Sequence, residues 1–254
     1  MSDNIKKIGL VTGAAGAIGS SIAKTISDQL DGLILVDINE IALQAFYQKN
    51  KHTSKKMSAI VCDVGCSKSV DDMFAQAKSE VGIPNILINN AGIGGPFHRV
   101  DEVSDDEWYS IMNTNLKSVF NLSRFLLPEM KKIQFGRIVN IASIQGYLGA
   151  SLSSTYVASK HGIIGYTRAI AAEWRAYGVT CNAICPGYVN TPMGAQDSKQ
   201  ENHRLKIIDK IPLHRIAEPD EIAHCVNYLI SKEAGYISGS VLTIDGGLSC
   251  HIGL

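Results

Sequence analysis

The sequence predicts an α/β fold: a single domain with a doubly wound, mostly parallel sheet of seven strands and helices on both faces. Apolar runs bounded by turn residues recur seven times, and they are continuous rather than alternating, which is typical of strands buried on both faces. Segments with the apolar spacing of helices separate them. The 254 residues are 45% hydrophobic and 19% charged, so residues 1–254 contain enough apolar material for one large core.

The predicted elements alternate between strand and helix along the whole chain. The strand runs lie at residues 7–13, 32–37, 58–64, 85–92, 136–143, 179–187 and 240–247. Helical spacing joins Ile18, Ile22, Ile26 and Leu30, and likewise Ile222, Val226 and Leu229. Ser104 and Glu107 have the spacing of a capping box, and Pro219 suits a first helical turn.

Charge and composition exclude several classes of partner. The chain has 24 acidic and 24 basic residues without long runs of one sign, so the electrostatic footprint of a nucleic-acid binder is missing. The apolar stretch after Lys7 is rich in glycine and makes a poor signal-peptide core, which predicts a cytoplasmic protein. Residues 138–159 carry no charge, but Asn140, Ser143 and Gln145 interrupt them, so we expect a strand, a loop and a helix start rather than a membrane span. A small, roughly neutral partner is favoured.

The cysteines and histidines do not predict a metal site. Neither a CxxC nor an HExxH pattern occurs. In a cytoplasmic protein we expect the thiols to be reduced, and several of them to be buried as small apolar residues.

The first strand ends in "TGAAGAIG", residues 12–19, and runs directly into a helix. Glycines let a backbone turn sharply beside a pyrophosphate, and a helix N-terminus offers free N–H groups and a positive dipole end. The spacing Gly13, Gly16, Gly19 differs from the general G-x-G-x-x-G fingerprint, so a plain tight turn remains an alternative. We expect a dinucleotide here, as in Rossmann-type folds.

Asp37 ends the second strand, where a carboxylate can accept both ribose hydroxyls of adenosine and repel a 2′-phosphate. No basic residue lies at residues 14–18 or at Ile38 to neutralise such a phosphate. NAD(H) is therefore favoured over NADP(H). The alternative for Asp37 is a solvated turn carboxylate.

Tyr156 and Lys160 are four residues apart in a predicted helix and share one face. An ammonium about 4–6 Å away in a partly desolvated cleft lowers a phenol pKa by about 1–3 units, which suits general acid/base chemistry near neutral pH. Ser143 ends the fifth strand and can hydrogen-bond a substrate oxygen in the same cleft. Spacing alone does not choose it over the rival hydroxyls Ser151, Ser153 and Ser154.

The chain resembles the classical short-chain dehydrogenase/reductase family along essentially its whole length. The motifs that carry the resemblance are "TGAAGAIG", "NNAG" at residues 89–92, Asn115 in "NTNL", Ser143, "YVASK" at residues 156–160, "PGYVNTPM" at residues 186–193 and "DGG" at residues 245–247.

The resemblance implies a catalytic set of Asn115, Ser143, Tyr156 and Lys160. Tyr156 would exchange a proton with the substrate oxygen while hydride passes to or from nicotinamide, and Ser143 would polarise that oxygen. Lys160 would lower the tyrosine pKa and bind the nicotinamide ribose, and Asn115 would hold a water that connects the lysine to solvent. The implied activity is the interconversion of a secondary alcohol and a ketone.

The resemblance also implies a set of cofactor-binding residues. Asp63 and Val64 would contact adenine, and Asn90, Ala91 and Gly92 would line the ribose region. Pro186, Gly187, Val189 and Thr191 would flank nicotinamide. Tyr156 and Lys160 also belong to this cofactor-binding set. Its remaining members lie in the glycine turn after the first strand and at the end of the second strand: Gly13, Gly16, Ala17, Ile18, Gly19, Asp37 and Ile38.

Departures from the family pattern bear on cofactor and substrate. Ala17 replaces a common central glycine, and Gly16 stands where NADP-preferring members often have arginine. Residues 188–212 would close the substrate pocket, with residues 94–98 and 144–148 as further walls. Parts of the chain resemble 3-hydroxybutyrate dehydrogenases, but Gly94, Gln145 and Ser153 replace their carboxylate-binding glutamine, histidine and lysine. A neutral ketone, diketone, polyol or acyl thioester is therefore favoured.

Other functions remain alternatives. A 3-oxoacyl thioester reductase using NADP(H) and a catalytically silent nucleotide-binding sensor both fit the fold, and a methyltransferase also uses a glycine-rich first turn with an acidic second strand end. Family members are usually homotetramers, and the apolar face around Ile163, Ile164 and Trp174 suits either a subunit interface or packing on the sheet.

Overall fold

The structure is a computed structural model that describes residues 5–192 and 201–250, with only the backbone of residues 201–204. Within these ranges, seven parallel strands form one sheet in the order β3-β2-β1-β4-β5-β6-β7. The strands are β1 (Ile8–Thr12), β2 (Gly32–Asp37), β3 (Met57–Val61), β4 (Ile86–Asn89), β5 (Gly136–Ile141), β6 (Val179–Pro186) and β7 (Val241–Ile244). Each predicted apolar run supplies one of them, and the predicted fold class is confirmed. A single domain over residues 1–254 stays a prediction, since the chain ends lie outside the described residues.

Helices connect the strands and cover both faces of the sheet. They are α1 (Ala17–Ile26), α2 (Glu40–Asn50), α3 (Ser67–Glu80), α4 (Asp105–Met112), α5 (Ser118–Ile133), α6 (Ser154–Trp174), α7 (Glu201–Lys210) and α8 (Pro219–Ile230). Strand side chains alternate between two cores: Leu10 and Ile138 pack with α3, α5 and α6, whereas Val11 and Val139 pack with α1, α2 and α8.

Two helix starts that the sequence predicts are confirmed, and one helix ends earlier than its apolar spacing predicts. Ser104 and Glu107 form the predicted capping box of α4, and Pro219 is the first residue of α8. The apolar spacing of the first helix extends to Leu30, but α1 ends at Ile26 and a 3-10 turn follows. Leu30 is nevertheless only 2% exposed, because the extended chain at that point still faces the core.

The strand order places a switch point beside β1. The chain leaves β1 toward β2 and β3, and then returns to form β4 on the other side of β1. Ligands of such sheets bind beyond the carboxyl ends of the strands at this crevice. The uncharged residues 138–159 belong to β5, a turn and the start of α6, and no helix among the described residues is long and apolar enough to cross a membrane.

Candidate active site

The glycine turn lies at the switch point and is tied to the end of β4. Gly13 has φ of +62°, which favours glycine, and a Cβ at Gly19 would lie 2.0 Å from the Gly13 carbonyl oxygen. Asn90 Nδ2 donates to the Thr12 and Gly13 carbonyls at 2.9 and 3.2 Å. Thr12 Oγ1 accepts from the N–H groups of Asn90 and Ala91, both at 3.0 Å. These contacts hold the start of α1 and the "NNAG" segment together at one edge.

The N-terminus of α1 suits an anion. Its N-cap, Gly16, provides no side-chain capping bond, and the first turn contains no acidic residue. The first N–H groups of a helix have no intrahelical partners, so those of α1 near Ala17 and Ile18 are open to a ligand oxygen. The exposed Gly16 adds no side chain that would block the approach.

Asp37 links the end of β2 to the glycine turn. Its Oδ2 accepts from the Ala15 N–H at 2.9 Å, and its Oδ1 accepts from the Asn39 N–H at 3.0 Å. The carboxylate is therefore held in one orientation and is half-buried. Its neighbour Ile38 is 70% exposed, an apolar surface beside the carboxylate.

The predicted adenine contacts follow β3. Asp63 is exposed, and its Oδ1 accepts from the Gly65 N–H at 2.9 Å. Val64 is 5% exposed. The Asp63 carboxylate thus stabilises a turn as well as facing solvent, and its contact with adenine stays a prediction.

Ser143 follows β5 in extended conformation. Its Oγ accepts from the Gln145 N–H at 3.1 Å. Because that contact occupies a lone pair, the hydroxyl hydrogen of Ser143 can be donated to another oxygen. The rival Ser151 lies exposed in the loop before α6, and Ser153 and Ser154 lie at the start of that helix.

Tyr156 and Lys160 lie one turn apart on α6. The Lys160 Nζ is 5.5 Å from the centroid of the Tyr156 ring, and it donates to the Ile141 carbonyl of β5 at 3.0 Å. Lys160 is 4% exposed, and burial lowers its pKa from the ordinary 10.5 to about 8. At neutral pH the ammonium form therefore still predominates. A Cβ at Gly92 would lie 3.6 Å from this Nζ, so the "NNAG" segment borders the same cleft.

Asn115 braces the turn of α6 that carries Tyr156. It lies in a π-helical segment, Asn113–Lys117, between α4 and α5, a distortion that is frequent at functional sites. Its Oδ1 accepts from the Ile93 N–H at 2.8 Å, and its Nδ2 donates to the Ile93 carbonyl at 3.0 Å and to Ser159 Oγ at 3.1 Å. Ser159 in turn donates to the Tyr156 carbonyl at 2.7 Å. Since protein atoms engage the amide of Asn115, a water held by this residue would bind its backbone carbonyl.

The predicted nicotinamide residues follow β6. Pro186 ends the strand, and a Cβ at Gly187 would lie 2.8 Å from the Asp245 Cβ. Val189 is 7% exposed and pairs with Ala217 in an isolated bridge. Thr191 lies close to the end of the described range, whereas Met193 of the "PGYVNTPM" motif and residues 193–200 of the predicted pocket-closing segment fall outside it.

Sequence reasoning did not single out three residues that help to shape the cleft: Thr12, Cys185 and Asp245. Thr12 anchors the "NNAG" backbone, and Asp245 accepts from the Gly247 and Ser249 N–H groups beside Gly187. The fully buried Cys185 lies against the Ser143 N–H and Lys160, and burial raises its pKa to about 11, so it stays a neutral thiol. The one sequence signal for Cys185 was its position directly before Pro186, the proline that ends β6. For Thr12 and Asp245, only the strand-end position was visible.

The fold is a Rossmann-type α/β fold, and its cleft brings Ser143, at the end of β5, close to the helix α6 that carries Tyr156 and Lys160. A family model described as enoyl-(acyl carrier protein) reductase matches residues 13–249. Nodulation protein G of Azospirillum brasilense is 38% identical over 96% of this chain and 98% of its own length. The 3-oxoacyl-[acyl-carrier-protein] reductase of Haemophilus influenzae is 35% identical over 95% and 98%, respectively.

Solved structures agree with this assignment. Levodione reductase is 32% identical with a TM-score of 0.91, covering 96% of this chain and 98% of the other. A variant of actinorhodin polyketide ketoreductase, solved with NADPH, is 31% identical with a TM-score of 0.92, covering 99% and 100%. The chain belongs to the classical short-chain dehydrogenase/reductase family.

Proposed function

We propose that the protein is an NAD(H)-dependent oxidoreductase that interconverts a secondary alcohol and a ketone, with Tyr156 as the general acid/base. One observation carries the proposal: Tyr156 and the buried Lys160 share a face of α6 beside the end of β5, where Ser143 lies. Membership of an oxidoreductase family supports the reaction class.

The roles of the three side chains follow from their chemistry. In reduction, Tyr156 donates its hydroxyl proton to the substrate oxygen; in oxidation, it takes the alcohol proton. The nearby Lys160 ammonium stabilises the phenolate that results. Ser143 donates its hydroxyl hydrogen to the same oxygen, because the Gln145 N–H occupies only an acceptor lone pair of Oγ and leaves that hydrogen available. Asn115 acts by positioning, through Ser159, the turn that carries the tyrosine.

The residues present fit a dinucleotide cofactor. When bound, its nicotinamide would supply the hydride acceptor or donor for the substrate carbon. The open N–H groups at the start of α1 would hold the pyrophosphate, and Asp37 would accept the adenosine ribose hydroxyls. Lys160, Asn90, Pro186, Gly187 and the other predicted residues border the same crevice, and their individual contacts are part of the proposal.

Asp37 supports NAD(H) over NADP(H). Its carboxylate is fixed at the end of β2, and the exposed Glu40 adds a second negative charge nearby in sequence. No lysine or arginine lies at residues 14–18 or 38–40 to offset these charges against a 2′-phosphate.

A second candidate is a 3-oxoacyl thioester reductase that uses NADP(H). The relatives favour it, because several are named as 3-oxoacyl-[acyl-carrier-protein] or acetoacetyl-CoA reductases and one solved relative holds NADPH. The fixed Asp37 carboxylate argues against NADP(H) as the cofactor, but it does not argue against a 3-oxoacyl thioester as the substrate. A catalytically silent sensor is a weaker candidate, because it would not need the buried Lys160.

We further propose a homo-oligomer, as is usual in the family. Ile163 and Ile164 are 1% and 5% exposed and belong to a buried cluster, which for these two residues favours packing on the sheet over a subunit interface. An exposed apolar groove between α4, α5 and α6 instead contains Leu116, Phe120 and Tyr166. A second copy of the chain would cover it, and light scattering on the purified protein measures the resulting mass. A cytoplasmic location stays a prediction.

The deciding experiment is a screen of alcohols with NAD+ and NADP+ and of ketones and 3-oxoacyl thioesters with NADH and NADPH, following absorbance of the reduced nicotinamide. Turnover of simple ketones or alcohols with NAD(H) is the expected result. Turnover confined to thioesters with NADPH would establish the second candidate. Tight nucleotide binding without turnover of any compound would favour the sensor, and binding of S-adenosylmethionine alone would favour a methyltransferase.

A further inference from the structure

Residues 143–148 form a hydrogen-bonded segment, the Ser143 turn, which begins with the serine proposed to polarise the substrate oxygen. Ser143 is the N-cap of its short 3-10 helix, and Tyr147 is the C-cap. The N–H groups of Gly146 and Tyr147 donate to the Ser143 and Ile144 carbonyls at 2.8 and 3.2 Å. Because these bonds join the two ends of the turn, a displacement of Tyr147 also displaces Ser143.

Backbone contacts fix the start and the middle of the Ser143 turn. Directly before it, the Ala142 N–H donates to the Ile184 carbonyl of β6 at 2.7 Å. A Cβ at Gly146 would lie 3.0 Å from the Lys160 carbonyl oxygen, so the middle of the turn packs closely on α6. The chain that follows offers little support, because residues 148–152 are mostly exposed. The end of the turn therefore depends on another attachment.

That attachment is the side chain of Tyr147. Its hydroxyl donates to Ser249 Oγ at 3.1 Å and lies 3.0 Å from Thr243 Oγ1. Since the single phenol hydrogen goes to Ser249, the Thr243 hydroxyl is the donor in the second bond. The two partners lie 96 and 102 positions further along the chain. Tyr147 thus joins the Ser143 turn to β7 and to the segment that follows β7.

The surface that receives Tyr147 is itself fixed to the other side of the cleft. Asp245 Oδ2 accepts from the Ser249 N–H at 2.7 Å, which holds Ser249 beside the end of β7. The Gly187 N–H donates to the Ile244 carbonyl at 2.9 Å, so the end of β7 is bonded to the segment proposed to flank nicotinamide. The phenol of Tyr147 therefore connects the Ser143 turn with the proposed nicotinamide side.

The proposed reaction depends on the separation of these two sides. Ser143 and Tyr156 would hold the substrate oxygen from one side, whereas Gly187 and its neighbours would set the place of the hydride donor or acceptor on the other. A misplacement of about 1 Å between reacting groups can cost about a hundredfold in rate. A side chain that fixes the distance between the two sides consequently contributes to the rate without touching the substrate.

We propose that Tyr147 is a positioning residue for the reaction: its hydroxyl, held by Thr243 and Ser249, keeps Ser143 at its working distance from the Gly187 segment. The inference rests on the proposed function. It also gives the C-terminal "DGG" turn a part in catalysis, because Asp245 of this turn holds Ser249.

A double-mutant cycle tests whether Tyr147 acts through Ser143. Wild type, Tyr147→Phe, Ser143→Ala and the double variant are compared by kcat per NADH-binding site, with the ketone that wild type reduces fastest. Tyr147→Phe removes only the hydroxyl and should lower kcat about three- to tenfold, while KM and NADH binding change by less than about twofold. In the Ser143→Ala enzyme no serine hydroxyl remains to be positioned, so Tyr147→Phe should change kcat by less than about twofold.

Variants of the two partners test the same contact from its other end. Thr243→Val combined with Ser249→Ala removes both hydroxyls that hold Tyr147, and it should lower kcat by about as much as Tyr147→Phe. Adding Tyr147→Phe to this pair should cause no further loss. The matched control is Tyr236→Phe, which removes the hydroxyl of a fully exposed tyrosine between α8 and β7 and should leave kcat unchanged.

The outcomes separate the positioning role from the proposed function. A kcat of Tyr147→Phe within about twofold of wild type would overturn the role alone. An equal loss in the Ser143→Ala background would also overturn it, because Tyr147 would then act by direct contact with substrate or by general stability. A further loss on top of the Thr243 and Ser249 changes would contradict the assigned anchor. Absence of wild-type turnover with any ketone or alcohol would overturn the proposed function and the positioning role together.

Discussion

Replacing Asp37 by asparagine tests the cofactor assignment with little change of shape. The carboxylate accepts N–H groups of Ala15 and Asn39 at 2.9 and 3.0 Å. Asparagine keeps one acceptor oxygen for one of them, and it removes the negative charge. Asp37→Asn should therefore fold, with a small loss of stability, and bind both cofactors.

The size of the effect follows from two terms. Two like unit charges about 4 Å apart repel by about 4 kcal/mol at an effective dielectric of about 20, and by about 1 kcal/mol in water. For a half-buried carboxylate, about 2 kcal/mol is a fair middle value, which equals a factor of about 30 gained for NADP(H). Exchanging a charged for a neutral acceptor of the ribose hydroxyls loses about 1 kcal/mol with NAD(H), a factor of about five. The preference for NAD(H) should thus fall by about 150-fold.

The assay measures kcat/KM for both cofactors with one substrate. Its matched control is Glu40→Gln, which removes a neighbouring exposed carboxylate in the first turn of α2 and should change the preference by less than about threefold. An unchanged preference in Asp37→Asn, or an equal change in Glu40→Gln, would refute the assignment of selectivity to Asp37.

Three further changes test the proposed catalytic residues. Tyr156→Phe should lower turnover by at least about a hundredfold while NADH fluorescence titration gives nearly unchanged binding, and near-normal turnover would remove the phenol from the mechanism. Ser143→Ala should lower kcat by at least about tenfold, whereas Ser151→Ala, at an exposed position, should not; the reverse ranking would break the assignment. The pKa of Lys160 is about 8 in the folded protein and about 10.5 in the unfolded chain. Between these two pH values only the unfolded chain holds the proton. The contribution of Lys160 to the free energy of unfolding should therefore rise by about 3 kcal/mol as the pH rises through this range. Urea unfolding of wild type and Lys160→Met at several pH values measures this as their difference, and a flat or falling difference would contradict the burial of a cation.

The fold was predictable because strands that are buried on both faces appear in the sequence as short apolar runs. The run at residues 32–37, for example, contains four consecutive apolar residues, and it forms β2, Gly32–Asp37, in which residues 32–36 are all buried. The end of α1 was predicted too late because apolar spacing records which residues face the core and not which are helical. Leu30 satisfies the pattern from an extended backbone.

The candidate site was only partly visible in the sequence. Strand-end positions and helical spacing indicated Asp37, Ser143, Tyr156 and Lys160, since these are local rules. The contacts that organise them join residues distant along the chain. Asn115 meets Ser159 across 44 positions, and nothing near either residue indicates the other. The π-helical segment around Asn115 likewise has no spacing signal of its own.

Lys160 connects the energetics of the fold with the proposed chemistry. Buried ammonium groups are normally paired, because desolvation disfavours their charge. Among the described residues, no carboxylate forms an ion pair with Lys160; its Nζ has the Ile141 carbonyl and lies near the neutral Cys185 thiol. A carboxylate partner would make the protein more tolerant of the buried charge, but it would also cancel the field that the ammonium exerts on Tyr156. A destabilising cation that remains unpaired beside a phenol is therefore better explained by acid/base chemistry than by structural support or nucleotide sensing.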